Sequence, residues 1–388
     1  MDQSLVEQFL RFTKQENVFD SLLAEYDEEK EYTPERLSMF GFGFVQRFRL
    51  TGKQEDIERA VQVLERATRK LEPSSEQWQQ NLNNLGTALM TSYVHLRKLE
   101  HLNRAIRLFG QLAEYRASDV DEQPDHLLNL CSCLMMRFQA TKKIEDLDRM
   151  IRLGQEIIEH TTSKATHRQA HLENHANVLL LRFVLRGDLE DQRMALHTMV
   201  LLESELPENS PRRIHWIDQI TREMSAYTAQ AKNPLALTDM ILLGERLIAG
   251  TPPEADYLPM LVGLNGGSYL ARFSYTDKDE DMAQAIQHME RALVLNAPAV
   301  KSKAGAFYQM QCYYNLGAAF KMRYSARRNL DDLQQAIEKM ELAVAQLPPD
   351  FQLADVYHDA LAGALELRFE RTEDLADLER AKQLRAKL

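Results

Sequence analysis

Arg47-Phe48-Arg49-Leu50-Thr51-Gly52-Lys53-Gln54-Glu55-Asp56-Ile57 decides the fold, because the chain repeats it. Ninety residues on stands Arg137-Phe138-Gln139-Ala140-Thr141-Lys142-Lys143-Ile144-Glu145-Asp146-Leu147. The closing anchor, usually an acid and an aliphatic, returns as His101-Leu102, Asp191-Gln192, Ala236-Leu237, Asp281-Met282, Asp332-Leu333 and Asp377-Leu378. Its second members fall at 57, 102, 147, 192, 237, 282, 333 and 378, six steps of 45 and one of 51. Self-similarity at a period of roughly 20–50 residues marks a stacked repeat protein.

Other positions keep the same register. A small or nearly small residue precedes each anchor: Gly41, Gly86, Cys131, Ala176, Thr221, Gly266, Gly317 and Ala362. A second mostly small set follows nineteen positions later, from Ala60 and Ala105 to Ala336 and Ala381. Small side chains in a helical pattern let a neighbouring helix approach closely. Each unit therefore reads as two helices, for instance about Gln77 to Arg97 and about Glu100 to Tyr115. Proline cannot continue a helix interior, so Pro73, Pro124, Pro207, Pro211, Pro252, Pro253, Pro298, Pro348 and Pro349 mark the turns between units. Thr51-Gly52 and Arg186-Gly187 mark turns within them. Alternating β-branched runs are missing, so the expected fold is all-α.

The formal net charge of -11 argues against nucleic acid as a partner, since that needs a basic footprint. The polar start, Met1 to Asp20, lacks the apolar stretch of a secretory signal, and no segment approaches the ~20 apolar residues of a membrane span. Three cysteines, Cys131, Cys133 and Cys312, fit a reduced cytoplasmic protein better than a disulfide scaffold.

Asn84-Leu85-Gly86 followed by Ala105, and Asn315-Leu316-Gly317 followed by Ala336, Ala343 and Pro348, resemble the tetratricopeptide signature. The Gly-to-Ala distance is seven residues longer than in that family, so the first helix and its turn are extended. The Arg-Phe…Thr-Gly…Asp-Leu phrase resembles the repeat arrays of fungal proteins often joined to CHAT protease-like domains. The resemblance implies a right-handed α-solenoid of about eight antiparallel helix pairs over residues 32–388, with an N-terminal helical cap at 1–31. It also implies a concave face, lined by the first helix of each pair, that engages a protein or extended peptide. No segment outside the repeats is long enough for a CHAT-like catalytic domain.

Six units pair an arginine with an anchor acid nine residues later: Arg47, Arg137, Arg182, Arg272, Arg323 and Arg368 with Asp56, Asp146, Asp191, Asp281, Asp332 and Asp377. The two units lacking the arginine, at Ser92 and Tyr227, also lack the acid, at His101 and Ala236. Matched presence and absence predict a contact across the turn or to the adjacent unit. A row of anion-binding arginines is the functional alternative. The fifth unit, near 211–255, lacks the pair and is flanked by prolines, so it is expected to be the least regular.

Two residues before each small position stand Met39, Asn84, Asn129, Asn174, Gln219, Leu264, Asn315 and Ala360. A carboxamide offers both donor and acceptor. A ladder of them can hold the backbone of an extended peptide, or bond neighbouring helices and set the stacking. Asn177, Arg222, Tyr314 and Lys321 join the expected groove, with Gln80, Asn83, Met135, His215, Leu180 and Leu270 nearby. His167, His171 and His175 lie at i, i+4 and i+8, and His126 matches His171 one unit earlier. His126, His171 and His175 are thus the candidate metal ligands, although His175 falls in a packing slot that other units fill with leucine. No cofactor or nucleophile motif stands out. The leading expectation is a non-enzymatic binding scaffold. The rival is an enzyme or the regulatory arm of a protease-like system, with a small-molecule or metal site near the histidines.

Overall fold

The computed structural model describes residues 18–114, 125–162, 167–208, 210–297 and 303–386, in two compact units, Met1–Gly187 and Asp188–Leu388. Residues 1–17 of the expected cap, and Pro124, Pro298, Lys387 and Leu388, lie outside the described residues.

The fold is all-α: among the described residues every regular element is helical. In the first unit a short helix at residues 18–23 precedes α1 (Pro34–Thr51), α2 (Gln54–Lys70), α3 (Glu76–Leu96), α4 (Leu99–Leu112), α5 (Asp125–Thr141), α6 (Ile144–His160) and α7 (Arg168–Arg186). The second unit holds α8 (Leu189–Ser204), α9 (Pro211–Gln230), α10 (Pro234–Ala249), α11 (Leu258–Thr276), α12 (Asp279–Asn296), α13 (Lys303–Arg327), α14 (Leu330–Val344), α15 (Ala354–Thr372) and α16 (Leu375–Arg385). The even-numbered helices begin at 54, 99, 144, 189, 234, 279, 330 and 375.

Thr33 caps α1, its hydroxyl accepting from the Arg36 amide with Pro34 in the first turn. Most odd-numbered helices stop on one residue in the left-handed region. Those residues are Gly52, Arg97, Lys142, Gly187, Asp277, Arg328 and Glu373, with φ between 51° and 71°. Only two are glycine, which is why sequence alone marked only two of these turns. The fifth pair is different: α9 ends at Ala231 with φ -64°, and Asn233 is extended ahead of Pro234. Here α9 and α10 touch at few points, and each packs on α11 instead.

Large and small side chains alternate across the layers. Leu64 sits on Gly41, Phe109 on Gly86, Met289 on Gly266 and Met340 on Gly317. Two units invert this rule. Gly154 stands at the position of Leu64, and a Cβ there would lie 2.3 Å from His175 Nδ1. Gly244 is its counterpart in the second unit, where a Cβ would lie 2.3 Å from Asn265 Oδ1. Both polar side chains occupy leucine slots, and a glycine makes room for each.

The predicted arginine–aspartate contact is present in the five pairs that lie within one unit. Arg47 holds Asp56 through Nε and Nη2 at 2.9 and 2.6 Å, and Arg272 holds Asp281 at 3.1 and 2.5 Å. Arg137–Asp146, Arg323–Asp332 and Arg368–Asp377 repeat the geometry. The carboxylates are buried, and planar two-point pairing fixes the turn. The third guanidinium nitrogen reaches the preceding pair: Arg137 to Asn103, Arg182 to Asp148, Arg272 to Thr238 and Arg368 to Gln334. Arg137, Arg272 and Arg368 thus tie their own turns to the helix before, so both predicted contacts occur together there and these guanidinium groups are engaged within the fold.

Candidate functional site

The first helix of each pair presents the predicted groove residues. In the first unit Asn84 (α3) and Asn129 (α5) are half-buried, while Asn174 and Asn177 (α7) are exposed. In the second, Gln219 and Lys321 are half-buried and Arg222 and Asn315 exposed. Among the described residues the side-chain amides of Asn84, Asn129, Asn174, Gln219 and Asn315 take part in no hydrogen bond. The stacking role, in which they bond neighbouring helices, therefore has no hydrogen bond behind it.

The second unit carries a cleft of about 630 Å³ in which three of the predicted residues meet: Arg222, Tyr314 and Asn315. It is bounded by α9, α11, α13 and α15. Gln219 is absent from its lining, and Leu270 packs instead into the core beside Phe273 and Met282.

The cleft's shape follows from glycines on α11. Gly263, Gly267 and Ala271 recur every four residues and so share one helix face. A Cβ at position 263 would lie 2.1 Å from the Tyr308 hydroxyl, which donates to the Pro259 carbonyl at 2.6 Å. At Gly267 a Cβ would meet nothing within 4 Å, because the groove opens there. Opposite, Tyr314 and Tyr357 stack with ring centroids 4.1 Å apart, and Phe351 meets Tyr357 edge-on at 5.5 Å. Leu353 and Val356 are about half exposed at the rim, 54% and 49%. The α15 contribution escaped sequence reading, since these residues sit before or between the repeat positions used for alignment.

The thiol and phenols of the cleft are held in their protonated forms. Burial pushes the Cys312 thiol up to about 11 and the Tyr357 phenol up to about 12. Tyr308 and Tyr314 are also raised, chiefly by burial. Protonated groups of this kind offer neither nucleophile nor base near neutral pH. Asp218, the one carboxylate in the lining, pairs with Arg222 at 3.1 Å.

The histidine proposal fares differently. His126, His171 and His175 are all buried, but among the described residues no group of three or more His, Cys, Asp or Glu is arranged to hold a metal ion. His175 fills the leucine slot against Gly154, and burial lowers His171 and His175 to about 4. Cys131 and Cys133 are buried, with thiols raised to about 11 and about 12 by desolvation. Among the described residues no helix is long and apolar enough to cross a membrane.

No protein-family model matches the chain, and no curated protein matches it. Several solved structures overlap it loosely. S. pombe Nro1, a hypoxic regulator of sterol synthesis described as a nuclear import adaptor, matches at 12% identity over 92% of this chain and 94% of its own, with a TM-score of 0.22. Acl4, an assembly chaperone of RpL4, matches at 14% over 89% and 99%, with a TM-score of 0.23. The human IFIT1 dimer with PPP-AAAA matches at 14% over 98% and 79%, with a TM-score of 0.22. Overlaps this loose bring no neighbour's activity or partner to this chain.

Proposed function

We propose that the protein is a non-enzymatic binding scaffold whose second unit receives a segment of another protein along the α9–α11–α13–α15 face. The observation that carries this reading is the cleft itself. An open glycine floor lies beside a stacked tyrosine pair, with exposed aliphatic residues at the rim and amides not engaged within the fold. Ligand sites are concave and mostly apolar, with a few polar groups that orient the guest. The net charge of -11 favours a protein over a nucleic acid as that guest. Asn84, Asn129 and Asn174 extend the same role to the first unit. The alternative is a regulatory arm of a protease-like system, which only the resemblance of the Arg-Phe…Thr-Gly…Asp-Leu phrase to CHAT-linked arrays suggests.

Gly267→Trp tests it. An added Cβ there meets nothing within 4 Å, so the indole enters where the groove is open. Affinity capture from the native cell, with quantitative mass spectrometry, should lose its partner at least tenfold while helicity and Tm stay unchanged. A partner retained by the correctly folded variant contradicts the proposal. The triple change of Asn84, Asn129 and Asn174 to Ala tests the first unit in the same way.

A further inference from the structure

We propose that the second unit holds a further binding site, between α10, α11 and α12, which takes a guanidinium group from a small molecule or from an arginine side chain. A cavity of about 510 Å³ there is lined by Glu245, Tyr269, Gln284, His288 and Arg291, among others, and shares no lining residue with the cleft. The repeat supplies its own comparison. Ninety-six positions on, the same three-helix layer recurs as α14, α15 and α16. There Leu361, Leu365 and Leu384 fill the places of Asn265, Tyr269 and His288, and all three leucines are buried. One layer has exchanged three core leucines for polar side chains.

All three converge on one atom. Glu245 Oε1 accepts from Asn265 Nδ2 at 2.8 Å and from the Tyr269 hydroxyl at 3.4 Å, and His288 Nε2 lies 3.1 Å from it. The other carboxylate oxygen, Oε2, takes part in no hydrogen bond among the described residues. The counterpart of Glu245 is Glu341, and Arg380 binds both of its oxygens, at 3.2 and 3.1 Å. The counterpart of Arg380 is Gln284, which lines the cavity and whose side-chain amide makes no hydrogen bond among the described residues. The cavity therefore keeps the carboxylate and lacks the guanidinium.

His288 shows the same deficit. Its Nδ1 lies 2.9 Å from the Gln284 backbone carbonyl while Nε2 faces Glu245. A neutral ring carries one N–H, so at one end two acceptors meet, and a cation beside Glu245 relieves that contact. Packing alone does not call for this arrangement. Asn265 Oδ1 is left buried without a hydrogen-bond partner among the described residues, a cost that a leucine would not carry. With His288 neutral, the lining sets three carboxylates, Glu245, Glu280 and Asp281, against two guanidinium groups, Arg272 and Arg291. The balance favours a cation even with the exposed Arg291 in the lining. A planar fork suits a carboxylate beside a carboxamide better than a compact ammonium does.

The test is isothermal titration calorimetry on the full chain at pH 8, where an ordinary histidine is neutral. The probes are free L-arginine and the peptide acetyl-Ala-Arg-Ala-amide, which tell a small molecule from a protein side chain, with L-lysine as the comparison. One saturable site per chain is expected for an arginine probe, at least tenfold tighter than for L-lysine. Gln284→Arg supplies in place the arginine that the α14–α16 layer uses. It should weaken the arginine probe at least tenfold while Tm is kept or raised, and Glu245→Gln should weaken it by a similar factor. No saturable binding of either arginine probe, L-lysine bound equally well, or undiminished binding to Gln284→Arg overturns the proposal. These results leave the cleft untouched, since Gly267→Trp tests that reading by itself.

Discussion

The Ser92 hydroxyl lies 2.8 Å from Nδ1 of His101, nine residues on, in the place where five other turns pair arginine with aspartate. A neutral pair has replaced a charged one without vacating the contact. His101→Asp alone would put a carboxylate where no guanidinium waits and should destabilise by about 1–3 kcal/mol. Adding Ser92→Arg should recover most of that loss. Urea denaturation of the two single variants and the double variant gives the coupling, and additivity would show that the two positions do not interact.

Arg272→Ala should cost more, about 3–5 kcal/mol, because it leaves the buried Asp281 carboxylate without its partner. Removing both, as Arg272→Met with Asp281→Leu, should cost less than the single change. A double variant less stable than Arg272→Ala would mean that the pair does more than neutralise itself.

Gly154 and Gly110 predict opposite outcomes for the same substitution. Gly154→Ala would press a methyl against the His175 ring, whose Nδ1, Cγ and Cβ lie at 2.3, 3.0 and 3.2 Å from it. A ring anchored that close to its own backbone cannot swing away, so a loss of about 1–3 kcal/mol is expected. Gly110→Ala meets only the tip of Arg149, at 2.8 Å. That tip can move, and the helix preference for alanine should leave the change neutral or stabilising by up to about 1 kcal/mol. Thermal melts of both variants decide the matter.

Acid should weaken the first unit through His171 and His175. Each binds its proton at about 4 when folded against an ordinary 6.5, because burial disfavours the charge. Between those values the unfolded chain takes up more protons, so this stability is full above pH 6.5 and is lost as pH falls toward 4. Each histidine accounts for on the order of 3 kcal/mol. Among the described residues Nε2 of His171 and Nδ1 of His175 have no hydrogen-bond partner, so nothing there compensates a proton. Urea denaturation at pH 7.5 and pH 5 should show the drop, and His175→Leu should roughly halve it.

The helix pairs and the arginine staples were legible because both repeat, and eight copies turn a weak pattern into a strong one. Matched loss at Ser92–His101 was legible for the same reason. What escaped was whatever the repeat does not carry. Arg97, Lys142, Asp277, Arg328 and Glu373 sit in the left-handed region without glycine's signature. Their strain is a property of the fold and has no local sequence mark. The α15 residues of the cleft escaped likewise, since Leu353, Val356 and Tyr357 acquire meaning only once Tyr314 is stacked against them. Histidine spacing suggested a metal, but His175 is explained by Gly154, twenty-one positions earlier on another helix.

The most direct test of the scaffold reading is where the partner touches. A benzophenone amino acid would replace Leu264, in the groove, and in a second protein Leu242, exposed on α10 outside it. Irradiation in native-cell extract should give a discrete protein adduct from position 264 and none from 242. Adducts from 242 with nothing at 264 would contradict the account.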